Sequence, residues 1–175
     1  MPHAAHPFIK LAAEAISTFL SEHRIIDPPV TLFEQVPEAH LPAGVFVCLK
    51  HEGRLRGCVG TTEPVHGTRA AEVVANAIGA ATRDPRFPPV EWAEVDVLSI
   101  CVDVLGSFEP VASRSQLDPR RYGLLLRAGE RLALLLPDIE GVDSLEEQIE
   151  VARTKAGVGR DETVDLYRFE VQRYK

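Results

Sequence analysis

Residues 45–60, VFVCLKHEGRLRGCVG, constrain this chain's fold more than any other stretch. Two β-rich runs flank HEGR, and Gly53 supplies the positive φ that a two-residue hairpin turn needs. A connection that short joins only antiparallel strands. With Glu52 and Gly53 as the turn, residue 51 faces 54, 49 faces 56 and 47 faces 58. Side chains alternate along a strand. Arg54, Arg56 and Cys58 are therefore predicted to share a face with Val47 and Leu49, and Cys48 to lie on the other with Phe46, Leu55 and Val59. This register predicts no Cys48–Cys58 disulfide, because opposite-face side chains cannot bring their Cβ atoms within about 4 Å.

The rest of the chain supplies helices and further strands without regular βαβ alternation. Residues 7–21 read as an amphipathic helix, with Pro7 in the first turn and Leu11, Ala12, Ala15, Ile16, Phe19 and Leu20 at helical spacing. The Pro-rich stretch IIDPPVTLFEQVPEAHLPAG reads as a loop draped over the core. Residues 70–81 carry a single apolar stripe, with Glu72 and Asn76 off it, and end as a helix before RDPRFPP. Residues 95–105 form a long strand that is apolar on both faces and so central. GLLLRAGERLALLLP is a second hairpin, and Ser144 with Glu147 caps a helix running to about Ala156. DLYRFEVQRY alternates as a last strand. The expectation is an α+β fold with a mainly antiparallel sheet and flanking helices. The whole of residues 1–175 forms one domain, whose two lobes would share a core.

Composition excludes several function classes. Hydrophobic residues make up 45% and charged residues 26%, an ordinary globular balance. A net charge of -7 argues against a nucleic-acid-binding protein. No apolar run approaches the roughly 20 residues of a membrane span, and the N-terminal stretch lacks the basic region of a signal peptide. Three cysteines without CxxC spacing point to a reducing, cytoplasmic setting rather than a disulfide scaffold or zinc site. The histidines show no metal-ligand spacing, so no metal site is expected.

Cys58 carries the candidate chemistry. A thiolate is the reactive form of cysteine, and Arg56, two residues away on the same predicted face, favours it. Gly57 and Gly60 leave the backbone bare for a ligand to approach. Thr61 and Thr62 add hydroxyls, while Glu63 and His66 are candidate bases. The competing reading makes Cys58 a small buried hydrophobe, Arg56 an ion-pair partner and the glycines parts of a bulge. Cys48 and Cys101, each embedded in an apolar strand, read as structural. In DPRF, Asp84 suits an Asx turn before Pro85, and Arg86 is placed to reach Asp84, Glu63 or a ligand carboxylate. Phe87 anchors that loop, and Trp92 reads as packing. The Arg56–Cys58 strand, the Thr61–Glu63 turn and the Asp84–Arg86 loop are expected to meet at one site.

The strings LRGCVGTTEP, NAIGAATRDPRFPPV, YGLLL, LLLP, KAG and LYRFE, in that order, resemble the AMMECR domain family (named for the Alport syndrome and elliptocytosis chromosomal region). The similarity runs from about Val45 to the C-terminus. It implies an α+β domain in two unequal lobes, with the cysteine motif near a cleft. The family has no established biochemical activity. Its prokaryotic members are often encoded with, or fused to, Memo-like and radical SAM proteins, which implies those partners by association and leaves any cofactor unknown. The family motif falls on Leu55, Arg56, Gly57, Cys58, Val59 and Gly60, on Asn76, on Asp84 to Phe87, and on Lys155 with Gly157. Thr82 stands where an aromatic is common, His66 where proline is usual, and VARTKAG lacks a cysteine often found before KAG.

Two functions follow. In one, an enzyme uses Cys58 as nucleophile or redox centre, with Arg56 holding a small anionic substrate and Glu63 or His66 moving protons. Arg54, Gly57, Gly60, Thr61, Asn76, Asp84 and Arg86 then line the binding site. In the other, the same hairpin and loop form an adaptor that docks a partner protein without turnover.

Overall fold

Helix α1 (Pro7–Glu22) opens the computed structural model, which describes residues 5–175. Pro7 occupies the first turn, and the His6 side chain accepts the Phe8 N–H at 3.2 Å. The stretch expected to be a loop contains helix α2 (Val30–Gln35) and a 3-10 turn (Pro37–His40). Its prolines start these helices instead of breaking them: Pro29 is the N-cap of α2 and Pro37 begins the 3-10 turn. Leu32, Val36 and Ala39 are buried at helical spacing.

Strands β1 (Val45–His51) and β2 (Arg54–Gly60) form the expected hairpin. Glu52 and Gly53 have φ of 50° and 78°, the primed turn that matches strand twist. Helix α3 (Arg69–Thr82) is capped by Thr68, and a 3-10 helix (Trp92–Val97) precedes β3 (Leu98–Leu105). The predicted strand over residues 95–105 therefore starts three residues late. There follow β4 (Glu109–Pro110), β5 (Gly123–Ala128), β6 (Arg131–Leu135), helix α4 (Leu145–Ala156), β7 (Asp165–Phe169) and β8 (Val171–Tyr174). The single C-terminal strand expected from alternation is broken at Glu170. Its two halves enter different sheets, ordered β2-β1-β3-β8 and β4-β7-β5-β6.

The chain divides into two compact units. One runs to Val104 and includes Gln172–Lys175; the other is Leu105–Val171. In the first, α1 and α3 bury one face of the sheet, with Phe8, Ile16, Val45, Val47, Val73 and Val102 almost wholly enclosed. Alternation leaves Phe46, Cys48, Cys101 and Asp103 on the opposite face. In the second, Leu124, Leu126, Ala133, Ile149 and Ala152 form a separate cluster between α4 and β5–β6. Ser144 and Glu147 make the expected capping box, and Gly157 ends α4 in the left-handed conformation at φ 64°. Lys155 donates to the Leu134 carbonyl at 2.9 Å. The KAG string thus has a local structural role.

The predicted hairpin register is wrong beyond the turn. Lys50 pairs with Leu55, but Leu49 pairs with Gly57, leaving Arg56 as the extra residue of a bulge. Val47 then faces Val59, and Cys48 faces Cys58. The physical reason lies in the core. The simple register would have turned Arg56 and Cys58 toward the buried face of Val47 and Leu49, where a guanidinium loses its hydration. The bulge turns Gly57 inward instead. A Cβ there would lie 2.1 Å from the Ala80 carbonyl oxygen, so α3 can rest on the strand only at glycine. As a result Cys48 and Cys58 do form a disulfide, contrary to expectation, with Cα atoms 4.1 Å apart.

Candidate functional site

β2 is an edge strand, so every second residue presents an N–H and a C=O to no neighbouring strand. Cys58 is one of these. Its N–H donates to Asp84 Oδ2 at 2.8 Å, and its carbonyl accepts from Arg86 Nη2 at 3.4 Å. The DPRF loop takes the place of the missing strand. Asp84 is 5% exposed and also accepts the Arg86 backbone N–H at 3.1 Å, as an Asx turn should. Arg86 grips it through Nε at 2.9 Å and Nη2 at 2.6 Å. That guanidinium, aided by the Cys58 and Arg86 N–H groups, holds the Asp84 carboxyl far below the usual carboxylate range despite burial. The Arg86 side chain is nonetheless 55% exposed, and among the described residues its Nη1 donates to nothing.

Arg56 is differently committed. Its Nε and Nη2 make a two-pronged pair with Glu94 at 2.7 and 2.8 Å. Nη1 and Nη2 also donate to the Pro88 and Pro89 carbonyls at 2.8 and 3.2 Å. The hydrogen bond to Glu94 raises the pKa of Arg56 above its ordinary value, and the same bond lowers that of Glu94. With 15% of its side chain exposed, Arg56 fastens the residues after DPRF to the bulge. Trp92, read as packing, is 58% exposed.

The expected bare backbone at the glycines is filled by protein. α3 covers Gly57, and the Phe46 ring lies where a side chain on Gly60 would be, with a Cβ there only 2.2 Å from a ring carbon. Arg54, Glu63 and His66 are exposed. Thr61 and Asn76 belong to a buried network centred on Glu72, a residue the sequence reading set aside. Glu72 is 0% exposed and accepts from the Thr61 hydroxyl at 2.8 Å, from the Val65 and His66 backbone N–H groups, and from Asn76. Asn76 also donates to the Val45 carbonyl at 3.0 Å. The available signal was the i, i+4 spacing of Glu72 and Asn76 on one helix face. The structure therefore brings Cys58, Asp84 and Arg86 together. It places Thr61 and Asn76 in this anchor beneath the loop, and leaves Glu63 in solvent.

Cys101 pairs with Cys48 across β1 and β3, so three cysteines stand in one row over β2, β1 and β3. All are partly exposed. Burial first, and Asp103 beside it, push the Cys101 thiol up to about 11. Among the described residues no group of three or more histidine, cysteine and acidic side chains is arranged to hold a metal ion. No described helix is long and apolar enough to cross a membrane.

These features define a class: an α+β protein in which an Arg-Gly-Cys edge hairpin is completed by an Asp-Pro-Arg-Phe loop. The chain belongs to the AMMECR1 family, whose model matches residues 9–174. A Thermotoga maritima protein is 47% identical over 174 residues, covering 97% of this chain and 98% of that one. A Clostridium acetobutylicum protein is 41% identical over 97% of this chain, but the match spans only 36% of that protein. The fold is similar to the crystal structure of an uncharacterised protein from Pyrococcus horikoshii. The TM-score is 0.88 and the identity 30%, over 97% of this chain and 89% of that one.

Proposed function

We propose that this chain is an enzyme, or a component of one, that works by cysteine chemistry at the Arg-Gly-Cys hairpin on a small anionic molecule. The observation that carries the reading is the contact of Cys58 with Arg86. The disulfide-bonded Cys58 sits on a strand whose backbone is held by a half-exposed guanidinium that has, among the described residues, no partner for Nη1. Planar guanidinium groups suit carboxylate and phosphate. Arg86 takes the anion-holding part first assigned to Arg56, because Glu94 already occupies Arg56. The Clostridium acetobutylicum relative, of which the match spans only 36%, supports the component form of the reading; a Memo-like or radical SAM companion is what the family resemblance implies. A docking role draws on exposed Trp92 and Val97, the two ends of one 3-10 helix, since interface cores are enriched in aromatic residues.

The test uses reduced protein and two disulfides, the dianionic disulfide of thionitrobenzoate and the uncharged disulfide of thiopyridine. The Cys58 thiolate attacks one reagent sulfur and expels the other half as a thiolate; Cys48 then closes on Cys58 and expels the second. Arg86→Gln, checked for native circular dichroism, should slow the anionic reagent by about tenfold and leave the uncharged one unchanged. Equal rates for both reagents in both proteins would remove the anion site and favour docking.

A further inference from the structure

The row of three cysteines has an order that matters chemically. Cys58 directs its N–H and C=O away from β1, to Asp84 and Arg86. It therefore forms a non-hydrogen-bonded pair with Cys48, the close kind of antiparallel pair, in keeping with their Cα separation of 4.1 Å. Cys48 must then turn its own N–H and C=O to β3, which makes Cys48 and Cys101 a hydrogen-bonded pair. Such pairs hold Cα atoms about 5.5 Å apart, within the range that disulfides span. Residues directly opposite in a ladder project to the same face. The Cys58–Cys48 bond runs across the strands, and the Cα of Cys101 is the next in that cross-strand row beyond Cys48. That is the direction from which a thiolate displaces the far sulfur of a disulfide.

We infer that Cys58, Cys48 and Cys101 form one thiol–disulfide exchange row, with Cys48 as the central sulfur shared between its two neighbours. The inference rests on the cysteine chemistry of the proposed function but not on its anionic ligand. Cys101, as thiolate, attacks Cys48 Sγ. The Cys48–Cys101 bond forms, the Cys48–Cys58 bond breaks, and the electron pair leaves on Cys58 Sγ. The proton lost by Cys101 goes to water, and Cys58 takes one up from water. One disulfide and one thiol are present before and after, so no oxidant or reductant is consumed. The released Cys58 thiolate can attack a small-molecule disulfide, giving a mixed disulfide on Cys58 and one free thiolate. The surroundings of Cys101 set the resting state. Its thiol donates toward Asp103 Oδ1 at 3.8 Å, and Asp103 in turn is held by Arg173 at 2.8 Å through both oxygens. Burial and Asp103 favour the protonated thiol, while Arg173 and Lys175 act against them. The row rests as Cys48–Cys58 with Cys101 protonated.

The experiment traps the second pairing. Wild type, Cys58→Ser and Cys58→Ala are reduced, shown by circular dichroism to be folded, oxidised with diamide, alkylated, and mapped by mass spectrometry without reduction. Both variants should yield the linked Cys48 and Cys101 peptides and lose alkylation at both positions, while wild type yields mainly Cys48–Cys58. Alkylated Cys48 and Cys101 in both variants, beside an intact Cys48–Cys58 link in wild type, would overturn the exchange row and leave the hairpin reading standing. Failure of wild type to form Cys48–Cys58 would overturn both.

Discussion

A methyl group on Gly57 would lie 2.1 Å from the Ala80 carbonyl oxygen. Gly57→Ala should therefore lower stability by about 3 kcal/mol, as overpacking at a strand–helix contact does. Urea denaturation checks this, and a loss under about 0.5 kcal/mol would show that α3 gives way. The two arginines of the site should separate by the same measurement. Arg56→Ala removes hydrogen bonds to Glu94 and two carbonyls and should cost about 2 kcal/mol while leaving cysteine labelling unchanged. Unchanged stability with slowed labelling would restore Arg56 as the thiolate's partner. Cys58, Asp84 and Arg86 were legible as a candidate group because LRGC and DPRF are unusual strings. Their pairing was not, since it depends on which backbone groups the edge strand leaves open. Glu72 escaped because a charged residue off an apolar stripe ordinarily faces water.

The hairpin shows what periodicity captures at the level of elements. Helices α1, α3 and α4 fall within a residue or two of their expected limits, because each carries a continuous apolar stripe and a cap. The bulge at Arg56 lies outside any local rule: it is set by the helix that Gly57 must admit, far along the chain. One extra residue moved Cys58 to the other face of β2 and reversed the disulfide expectation. The break at Glu170 is likewise a matter of sheet membership and leaves the alternation intact. The Cys48–Cys58 bond closes a loop with a sequence separation of 10. Reducing it should lower stability by about 2–3 kcal/mol through the freedom regained by the unfolded chain. Thermal melts with and without reductant measure this, with Cys48→Ser as the control that should show no reductant effect. An equal reductant effect in Cys48→Ser would place the bond elsewhere.

Across the whole molecule, acid should unfold the protein partly through Asp84 and Glu94. Both have folded-state pKa values below their unfolded ones. The unfolded chain then binds more protons in acid, so their contribution is full above about pH 5 and is lost as pH falls through about 4 and below. Asp84→Asn should be less stable at neutral pH and lose less on acidification, read from urea midpoints between about pH 3 and 7. Parallel curves for the two proteins would remove Asp84 from the acid response. The two hydrophobic clusters, one in each unit, account for most of the buried side chains, yet neither specifies a chemistry. The proposed chemistry is assigned instead to the cysteine row and the loop beside Cys58. The most direct test of this account is a redox titration of the wild-type chain against glutathione buffers, with the thiols alkylated and assigned by mass spectrometry. Cys48 and Cys58 should gain and lose alkylation together and reversibly, while Cys101 stays protonated and slow to label. If Cys48 and Cys58 label independently, at the same slow rate as Cys101 and in every buffer, the hairpin carries no cysteine chemistry.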